Sequence, residues 1–548
     1  MLQKMNGAMI AMAQLVAEGV THILGIPGEH NLPLCDSVLD YPQLQFLTAR
    51  HEQGLVYMAN GYARATHRIA VPLVISGPGV TNSLTGLADA YQDSVPMILI
   101  AARPPSWQIG RGAFHELKQQ SQVLQSVAKN NYLAESAAQI PTIIHQAFIT
   151  AFADRPGPVT VEIPLEVQQQ TTTATTIVSH TVTAKSFSTL IGDNQNNQDN
   201  NTKILQLIQL LSQAQQPMLY IGRGAVISGC ADYIKTLVER LDLPCFHTAL
   251  AKGILPPEHP LNLSWGGAKY GLIKEYIAHS DMVLVIGSSL DDSDAQRFEL
   301  QFPENLVQID SYAANIGRAY PVKLGIVGDA KLILQQLITA LPTNISKKSI
   351  TKADFSAYRQ TGIAAKSNTV VGQFIYSIQT AISNETLVFS DPSWVNGWVV
   401  YFLEHTKPNT FHCARNFCGL GFSFPAALGA KLAKPESQVL AIIGDGGFLF
   451  TNAELATAVQ YQLNIVTIIF NDQGYGSIKR RQQKAYNRVV GVDLVTPNFT
   501  NLATAFGAIG IIAKTPAELH KALQTAWKHK LPVMIEVPMD NNNPELDI

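Results

Sequence analysis

The 548-residue chain has no excess of charge of either sign. Its 39 Lys and Arg stand against 41 Asp and Glu, a formal net charge of −2. That balance favours neither nucleic acid nor an anionic membrane surface as a partner. No apolar run reaches the ~18 residues that a bilayer crossing needs. The stretch from Met1 to Val20 has apolar residues at helical spacing, but Gln14 and Glu18 interrupt it and no cleavage-like site follows. It reads as a first amphipathic helix rather than a signal peptide. Cysteine is scarce. Cys35, Cys230, Cys245, Cys413 and Cys418 show no paired CxxC spacing, so free buried thiols in a reducing cytoplasm are expected. Short tandem repeats are absent as well.

What is present is apolar mass in a regular rhythm. Hydrophobic residues make up 46% of the chain, enough for several cores. The length predicts about three domains of ~150–200 residues. Short apolar runs alternate with helical stretches, which predicts an α/β fold of three doubly wound parallel-sheet domains. The first covers residues 1–167, with strands predicted at His22–Gly25, Gln45–Leu47, Val71–Ile75, Met97–Ala101 and Val159–Ile163. A Gln-, Thr- and Asn-rich linker over 168–202 precedes a central Rossmann-like domain at 203–341. Its clearest strands are Met218–Ile221, Met282–Ile286 and Leu306–Ile309. A polar connector at 342–369 leads to a third domain, 370–548, with strands at Leu387–Phe389, Val439–Ile443, Ile465–Phe470 and Val533–Val537. The polar end from Asn541 is expected to be mobile.

Two of the third domain's runs end in polar signatures. Gly444-Asp445-Gly446-Gly447 follows one, and Asn471-Asp472 follows the other, with Asn471 26 residues after Asp445. Parallel strands joined by a crossover helix would bring both ends to the C-terminal edge of one sheet, where open α/β sheets bind ligands. A carboxylate and a carboxamide oxygen there can hold a hard cation such as Mg²⁺. The glycines let backbone N–H groups approach phosphate oxygens. Thr451-Asn-Ala-Glu454 has the pattern of a capping box at the next helix start.

This pair, together with Gly25-Ile-Pro27-Gly28, Arg50-His-Glu52-Gln-Gly54, Ala59-Asn-Gly-Tyr-Ala-Arg64 and Ser76-Gly-Pro-Gly-Val-Thr-Asn82, resembles a known group. It is that of the thiamine-diphosphate enzymes that include acetolactate synthase, benzoylformate decarboxylase and pyruvate oxidase. The resemblance covers nearly the whole chain. It implies that Glu52 hydrogen-bonds N1′ of the cofactor pyrimidine, and burial would raise its pKa. Cys418-Gly419-Leu420-Gly-Phe-Ser-Phe-Pro resembles the benzoylformate decarboxylase stretch that bends the cofactor, with Leu420 as the wedge. By the same resemblance Asp445, Asn471 and the Gln473 carbonyl would coordinate Mg²⁺. Backbone amides around Gly444, Gly446, Gly447, Gly474 and Tyr475 would receive the diphosphate. Pro27, Gly28, Asn82, Ser393, Asn396 and Gly419 complete the expected cofactor contacts.

The implied reaction is non-oxidative decarboxylation of a 2-oxo acid through a C2 ylide and an enamine. The enamine is then protonated to an aldehyde or, as in acetolactate synthesis, joined to a second 2-oxo acid. Gly110-Arg-Gly-Ala-Phe114-His115-Glu falls where acetolactate synthases carry a Phe-Gln-Glu substrate loop. Phe114 matches, and His115 could act as a general acid or base. Lys129 sits near a lysine common in acetolactate synthases, and Arg481 replaces their substrate-selecting tryptophan. The loop 110–117, with Gly491-Val-Asp-Leu-Val-Thr-Pro497, also resembles 5-guanidino-2-oxopentanoate decarboxylases. His115 and Arg481 tilt the expectation towards simple decarboxylation, with acetolactate synthase-type carboligation as the alternative.

A flavin or nicotinamide oxidoreductase built on the central domain is a further alternative, and a catalytically silent binding subunit is another. Gly222-Arg-Gly-Ala-Val-Ile-Ser-Gly229 misses the dinucleotide fingerprint and reads as a structural turn. The arginine-bearing loop of acetolactate synthases is replaced by Gly287-Ser-Ser-Leu-Asp-Asp-Ser293, so FAD is not expected. The resemblance implies a homodimer or homotetramer with the pyrimidine half of each site on one subunit and the diphosphate half on another.

Overall fold

The computed structural model describes residues 4–172, 177–178, 197–263, 272–343, 367–541, 543 and 546. Most of the expected linker and connector therefore lies outside the described residues. Three parallel sheets organise the rest. The first contains β1 (His22–Gly25), β2 (Gln45–Thr48), β3 (Val71–Val74), β4 (Met97–Arg103), β5 (Asn130–Leu133) and β6 (Pro158–Pro164), in the order β2-β1-β3-β4-β6-β5. The central sheet contains β7 (Pro217–Ile221), β8 (Cys245–His247), β9 (Met282–Ile286), β10 (Asn305–Asp310) and β11 (Leu324–Val327), in the order β8-β7-β9-β10-β11. The third contains β12 (Leu387–Ser390), β13 (Phe411–Cys413), β14 (Val439–Gly444), β15 (Val466–Asn471), β16 (Ile509–Ile512) and β17 (Val533–Pro538), in the order β13-β12-β14-β15-β17-β16.

Counted within each sheet, the first and third have the same strand order. The two outer domains therefore share a topology that their sequences do not display. Central strands such as β3, β14 and β15 are buried along their length, as sheets covered on both faces require. The strands that periodicity missed are β5, β8, β11, β13 and β16. Every one is a sheet edge, and β5 and β16 are only partly buried. The weaker pattern of β5 and β16 follows from that exposure, while β8 and β13 are buried but only three residues long.

The helices that position the site are α1 (Glu52–Thr66), α2 (Pro78–Gln92), α3 (Ile140–Phe152), α4 (Trp394–Phe402), α5 (Ser423–Ala433), α6 (Asp445–Thr451), α7 (Glu454–Gln460) and α8 (Gly476–Tyr486). One hydrophobic core runs from the first sheet into the third through α1 and α5. These helices cross at glycines. A Cβ on Gly61 would lie 1.8 Å from the Ala426 carbonyl oxygen, and one on Gly429 would lie 1.8 Å from that of Met58.

Two local expectations are corrected. No capping box opens α7: its N-cap is Ala453, without a side-chain cap bond. Thr451 Oγ1 instead donates to the Gly421 carbonyl at 2.9 Å, and Glu454 serves the N-terminus of α1. The chain end is not simply loose either. Leu546 is fully buried, and its carbonyl accepts a bond from Trp398 Nε1 at 3.2 Å.

Candidate functional site

Each outer sheet presents a crevice between its first and third strands, where the winding direction reverses. The candidate residues gather at the two equivalent crevices.

At the first, Glu52 opens α1, with His51 as N-cap accepting from the Gln53 amide. Asn82, on α2, donates its Nδ2 to Glu52 Oε2 at 2.9 Å. The Glu52 carboxylate is buried, and its Oε1 lies 3.5 Å from where a Cβ on Gly79 would stand. A larger residue at 79 would crowd that oxygen. Gly28 donates its amide to Asn31 Oδ1 at 2.8 Å, and neighbouring Pro27 is exposed. The substrate-loop candidates meet the same crevice. His115 has a left-handed φ of 58°, and its carbonyl lies 2.6 Å from where a Cβ on Gly77 would stand. Phe114 stacks on the His115 ring at 3.7 Å.

At the second crevice, Asp445 Oδ2 accepts the Gly474 amide at 3.0 Å, while its Oδ1 is buried with no partner. The Asp472 carboxylate faces it, with a buried Oδ2 that accepts no hydrogen bond and lies 3.8 Å from Arg480 Nη1. Burial pushes both carboxyls up. Asp445 is raised further by Asp472, while Arg480 opposes the rise at Asp472. Asn471 gives its Nδ2 to Glu536 Oε1 at 2.8 Å. Its Oδ1 keeps only two long bonds, from the Gln473 amide and Thr496 Oγ1, both at 3.2 Å. Gln473 has a left-handed φ of 55°, and its carbonyl accepts one bond from the Leu494 amide, which leaves a second lone pair.

Two buried carboxylates with orphaned oxygens beside a carboxamide oxygen fit a hard divalent cation. No group of three or more His, Cys, Asp or Glu suited to a metal occurs among the described residues. A cation here would therefore rely on neutral oxygens as well.

The expected phosphate cradle is partly spent within the chain. The Gly474 amide goes to Asp445 and the Tyr475 amide to the Val492 carbonyl. Gly446 and Gly447 lie in the first turn of α6, directly after Gly444. Gly446 packs on the Tyr475 ring, and Gly447 leaves room for Asp391. Ser393 Oγ donates to the Asp391 carbonyl at 3.1 Å, and Asn396 Oδ1 is buried without a partner.

Leu420 sits between the crevices. Its carbonyl accepts from Gln53 Nε2 at 3.4 Å, and a Cβ on adjacent Gly419 would strike the Tyr57 hydroxyl at 2.2 Å. The wedge segment therefore packs on the helix that Glu52 opens. Among the described residues no hydrogen bond or ion pair joins Glu52 to Asp445 or Asn471.

Arg481 is exposed on α8 and has no side-chain partner among the described residues. Lys129 is placed structurally. Its Nζ donates to the Thr150 and Ala153 carbonyls at 2.6 Å each, at the end of α3. Burial pushes it down to about 8, with Asp154 opposing. Gly222 and Gly224 of the 222–229 motif serve chain packing, since a Cβ would meet the Gly287 carbonyl oxygen at 2.3 Å and Gly287 Cα at 2.8 Å respectively, while Gly229 has open space but a left-handed φ of 67°.

Sequence reasoning missed several residues. Asp391 accepts the Gly421 and Ser423 amides at 3.1 and 2.8 Å, fixing the segment after Leu420, and burial raises it to about 7. Glu454, fully buried, accepts the Arg50 and His51 amides. Glu536 orients Asn471. Only Asp391 carried a sequence signal, as an Asp-Pro-Ser following a predicted strand.

A three-domain α/β chain with two buried carboxylates and glycine-lined turns at one crevice, and a glutamate–asparagine pair at the equivalent one, has the layout of a thiamine-diphosphate enzyme. Three family descriptions match the chain in order. "Thiamine pyrophosphate enzyme, N-terminal TPP binding domain" covers residues 5–123, the central domain 204–337, and the C-terminal TPP binding domain 393–537. The chain is 31% identical to a probable acetolactate synthase large subunit of Methanococcus aeolicus, over 98% of this chain and 92% of the relative. It is 29% identical to the acetolactate synthase large subunit of Haemophilus influenzae and 28% identical to the isozyme 3 large subunit of Escherichia coli. Each of these matches covers 99% of this chain and 96% of the relative. The chain belongs to the thiamine pyrophosphate enzyme family, within the superfamily of 2-oxo acid decarboxylases and acetolactate synthases. Among the described residues no helix is long and apolar enough to cross a membrane.

Proposed function

We propose that the chain is a Mg²⁺-dependent carboligase of the acetolactate synthase type, which decarboxylates one 2-oxo acid and joins the remaining fragment to a second. The observation that carries the metal and cofactor is Asp445, with an orphaned buried oxygen beside Asp472 and Asn471 at the C-terminal sheet edge. These three relatives, each named as an acetolactate synthase large subunit, weigh towards carboligation over the aldehyde-releasing decarboxylation suggested by His115 and Arg481.

Bound thiamine diphosphate would supply a carbon nucleophile for the 2-oxo carbonyl and a sink for the electron pair left when CO₂ departs. The chain's own part is to position and to move protons. Asp445, Asn471 and the Gln473 carbonyl would hold the metal, and the Gly446 and Gly447 amides would receive phosphate oxygens, since the Gly474 and Tyr475 amides are used within the chain. Asn82 occupies Glu52 Oε2, so Oε1 is the atom that exchanges a proton with the pyrimidine nitrogen. Leu420 would be the apolar side chain that supports the cofactor. Phe114 and His115 close the substrate side and exclude water. As the resemblance implies, the pyrimidine half at Glu52 and the diphosphate half at Asp445 would come from different subunits, so a homodimer or a pair of dimers would complete each site. Mixing inactive Glu52→Gln with inactive Asp445→Ala subunits should then restore activity, and no rescue despite proven exchange would remove the shared site. With five free thiols, Cys418 among them exposed, the cytoplasm is the proposed compartment.

One observation favours a second reading. His115 stands 5.9 Å from a second imidazole, His30, and a histidine near the reacting carbon could protonate it to give an aldehyde. Incubation of the reconstituted protein with pyruvate and a panel of other 2-oxo acids, with products identified by mass, separates the two. Acetolactate from pyruvate supports carboligation. An aldehyde as the sole product, from pyruvate or another 2-oxo acid, refutes it in favour of decarboxylation.

A further inference from the structure

His30 has no part in the expected chemistry, yet it is the best-anchored ring beside the Gly77 turn. It lies in the short turn Glu29–Asn31, only 3% exposed. Its Nδ1 pairs with Ser76 Oγ at 3.1 Å, and its carbonyl accepts from Gln168 Nε2 at 2.8 Å. Both partners are fully buried. His30 is thus tied to the core once through its ring and once through its backbone.

The rings it meets ride on a loosely held loop. Phe114 is 61% exposed, although it stacks on His115. Gly110 and Gly112 take left-handed φ values of 83° and 77°, with nothing within 4 Å of an added Cβ. Glu116 ties the loop to itself by accepting the Gly110 and Ala113 amides at 2.7 and 3.0 Å. Towards the core, the loop offers His30 an edge contact from His115 at 5.9 Å and 63°, and a tilted one from Phe114 at 6.1 Å and 41°. The His115 Nδ1 is buried without a partner, so hydrogen bonding does not fix that ring. Burial holds His30 below the ordinary histidine value, with Glu29 opposing and His115 reinforcing. A neutral His30 lets the second imidazole approach without charge repulsion.

We propose that His30 is a positioning residue: a fixed post on which the Phe114–His115 loop docks to form the 2-oxo acid pocket. The proposal rests on reading residues 110–117 as the substrate loop. An edge-to-face ring contact multiplies the ratio of docked to open loop by roughly 2- to 12-fold. Substrate that binds only the docked loop sees its apparent dissociation constant rise by the lost fraction. Saturating substrate pulls the loop closed, so KM rises while kcat holds.

The first test is hydrogen exchange of residues 108–119 in cofactor-free parent, His30→Ala and His30→Phe proteins. The alanine variant should exchange roughly 2- to 12-fold faster in this segment alone. The phenylalanine variant keeps the ring and should stay within about twofold of the parent. Unchanged exchange in His30→Ala, or equal acceleration in both variants, overturns the proposal. Loosening across the whole first domain makes His30 a mere core residue and overturns it equally. On the reconstituted enzyme, with whichever 2-oxo acid it turns over, kcat should hold and KM should rise by the part of that factor that exchange does not show, since the two changes multiply to the lost docking ratio. A fall in kcat with KM unchanged also overturns it. Because exchange is read without cofactor or substrate, failure of the carboligase assignment leaves the docking result standing on its own.

Discussion

Replacing Gly61 by alanine should weaken the protein, although alanine is the better helix former. In the interior of α1 the exchange is worth about 1 kcal/mol in favour of alanine. Against that, the new Cβ would stand 1.8 Å from the Ala426 oxygen, 2.5 Å from its carbonyl carbon and 2.7 Å from its Cα. All three are backbone atoms of α5, so no side chain can rotate away. The helices must part by more than an ångström. Overpacking of this kind costs about 3 kcal/mol, at the upper end for core insertions. The expected net loss is about 2 kcal/mol, read from the urea midpoint at the parent's slope. Gly429→Ala should cost as much, since its Cβ would meet the Met58 oxygen at the same 1.8 Å. The double variant should cost less than the sum, because one separation relieves both clashes. The same shift moves Glu52 relative to Leu420, so cofactor affinity should fall as well. Gly110→Ala is the control, with left-handed strain but nothing within 4 Å. A Gly61→Ala protein at least as stable as the parent would refute the reasoning.

Asp445→Ala should abolish cofactor binding in calorimetry with Mg²⁺ present, yet leave the cofactor-free protein no less stable, because it relieves the buried Asp472. Equal affinity in parent and variant would end the metal assignment. Glu52→Gln should lower cofactor affinity modestly while slowing C2–H/D exchange by orders of magnitude, measured by proton NMR; an unchanged rate would place the activating acid elsewhere. Lys252, buried and bonded to the Val399 and Leu403 carbonyls, is pushed down to about 7 by burial, with Glu404 opposing. Its folded value lies below its unfolded one, so the unfolded chain binds more protons between about pH 7 and 10. Stability should rise with pH across that window, by up to about 1.4 kcal/mol per unit from this group. Lys252→Met should flatten the slope, and an unaltered slope would show that the lysine is charged in the fold.

The division between sequence and structure follows from how locally each feature is encoded. Central strands such as β9 and β14 were legible because burial on both faces writes an unbroken apolar run. Edge strands β5, β8, β11, β13 and β16 were not, since each is only three or four residues long and too short to write a period. The signatures at Gly444–Gly447 and Asn471 were equally local, each a turn directly after a strand. Only the tertiary structure showed the shared strand order of the outer domains, because topology depends on which runs pair. Only it brought Asp472, Glu536 and Thr496 around the Asp445–Asn471 pair, and Glu454 onto the start of α1. It also moved Lys129 from a substrate candidate to a cap on α3, and tied His30 to Ser76. The amino-acid order determines which side chains stand at strand ends. Which of them share a crevice is decided by packing between segments hundreds of residues apart, and no local pattern records it.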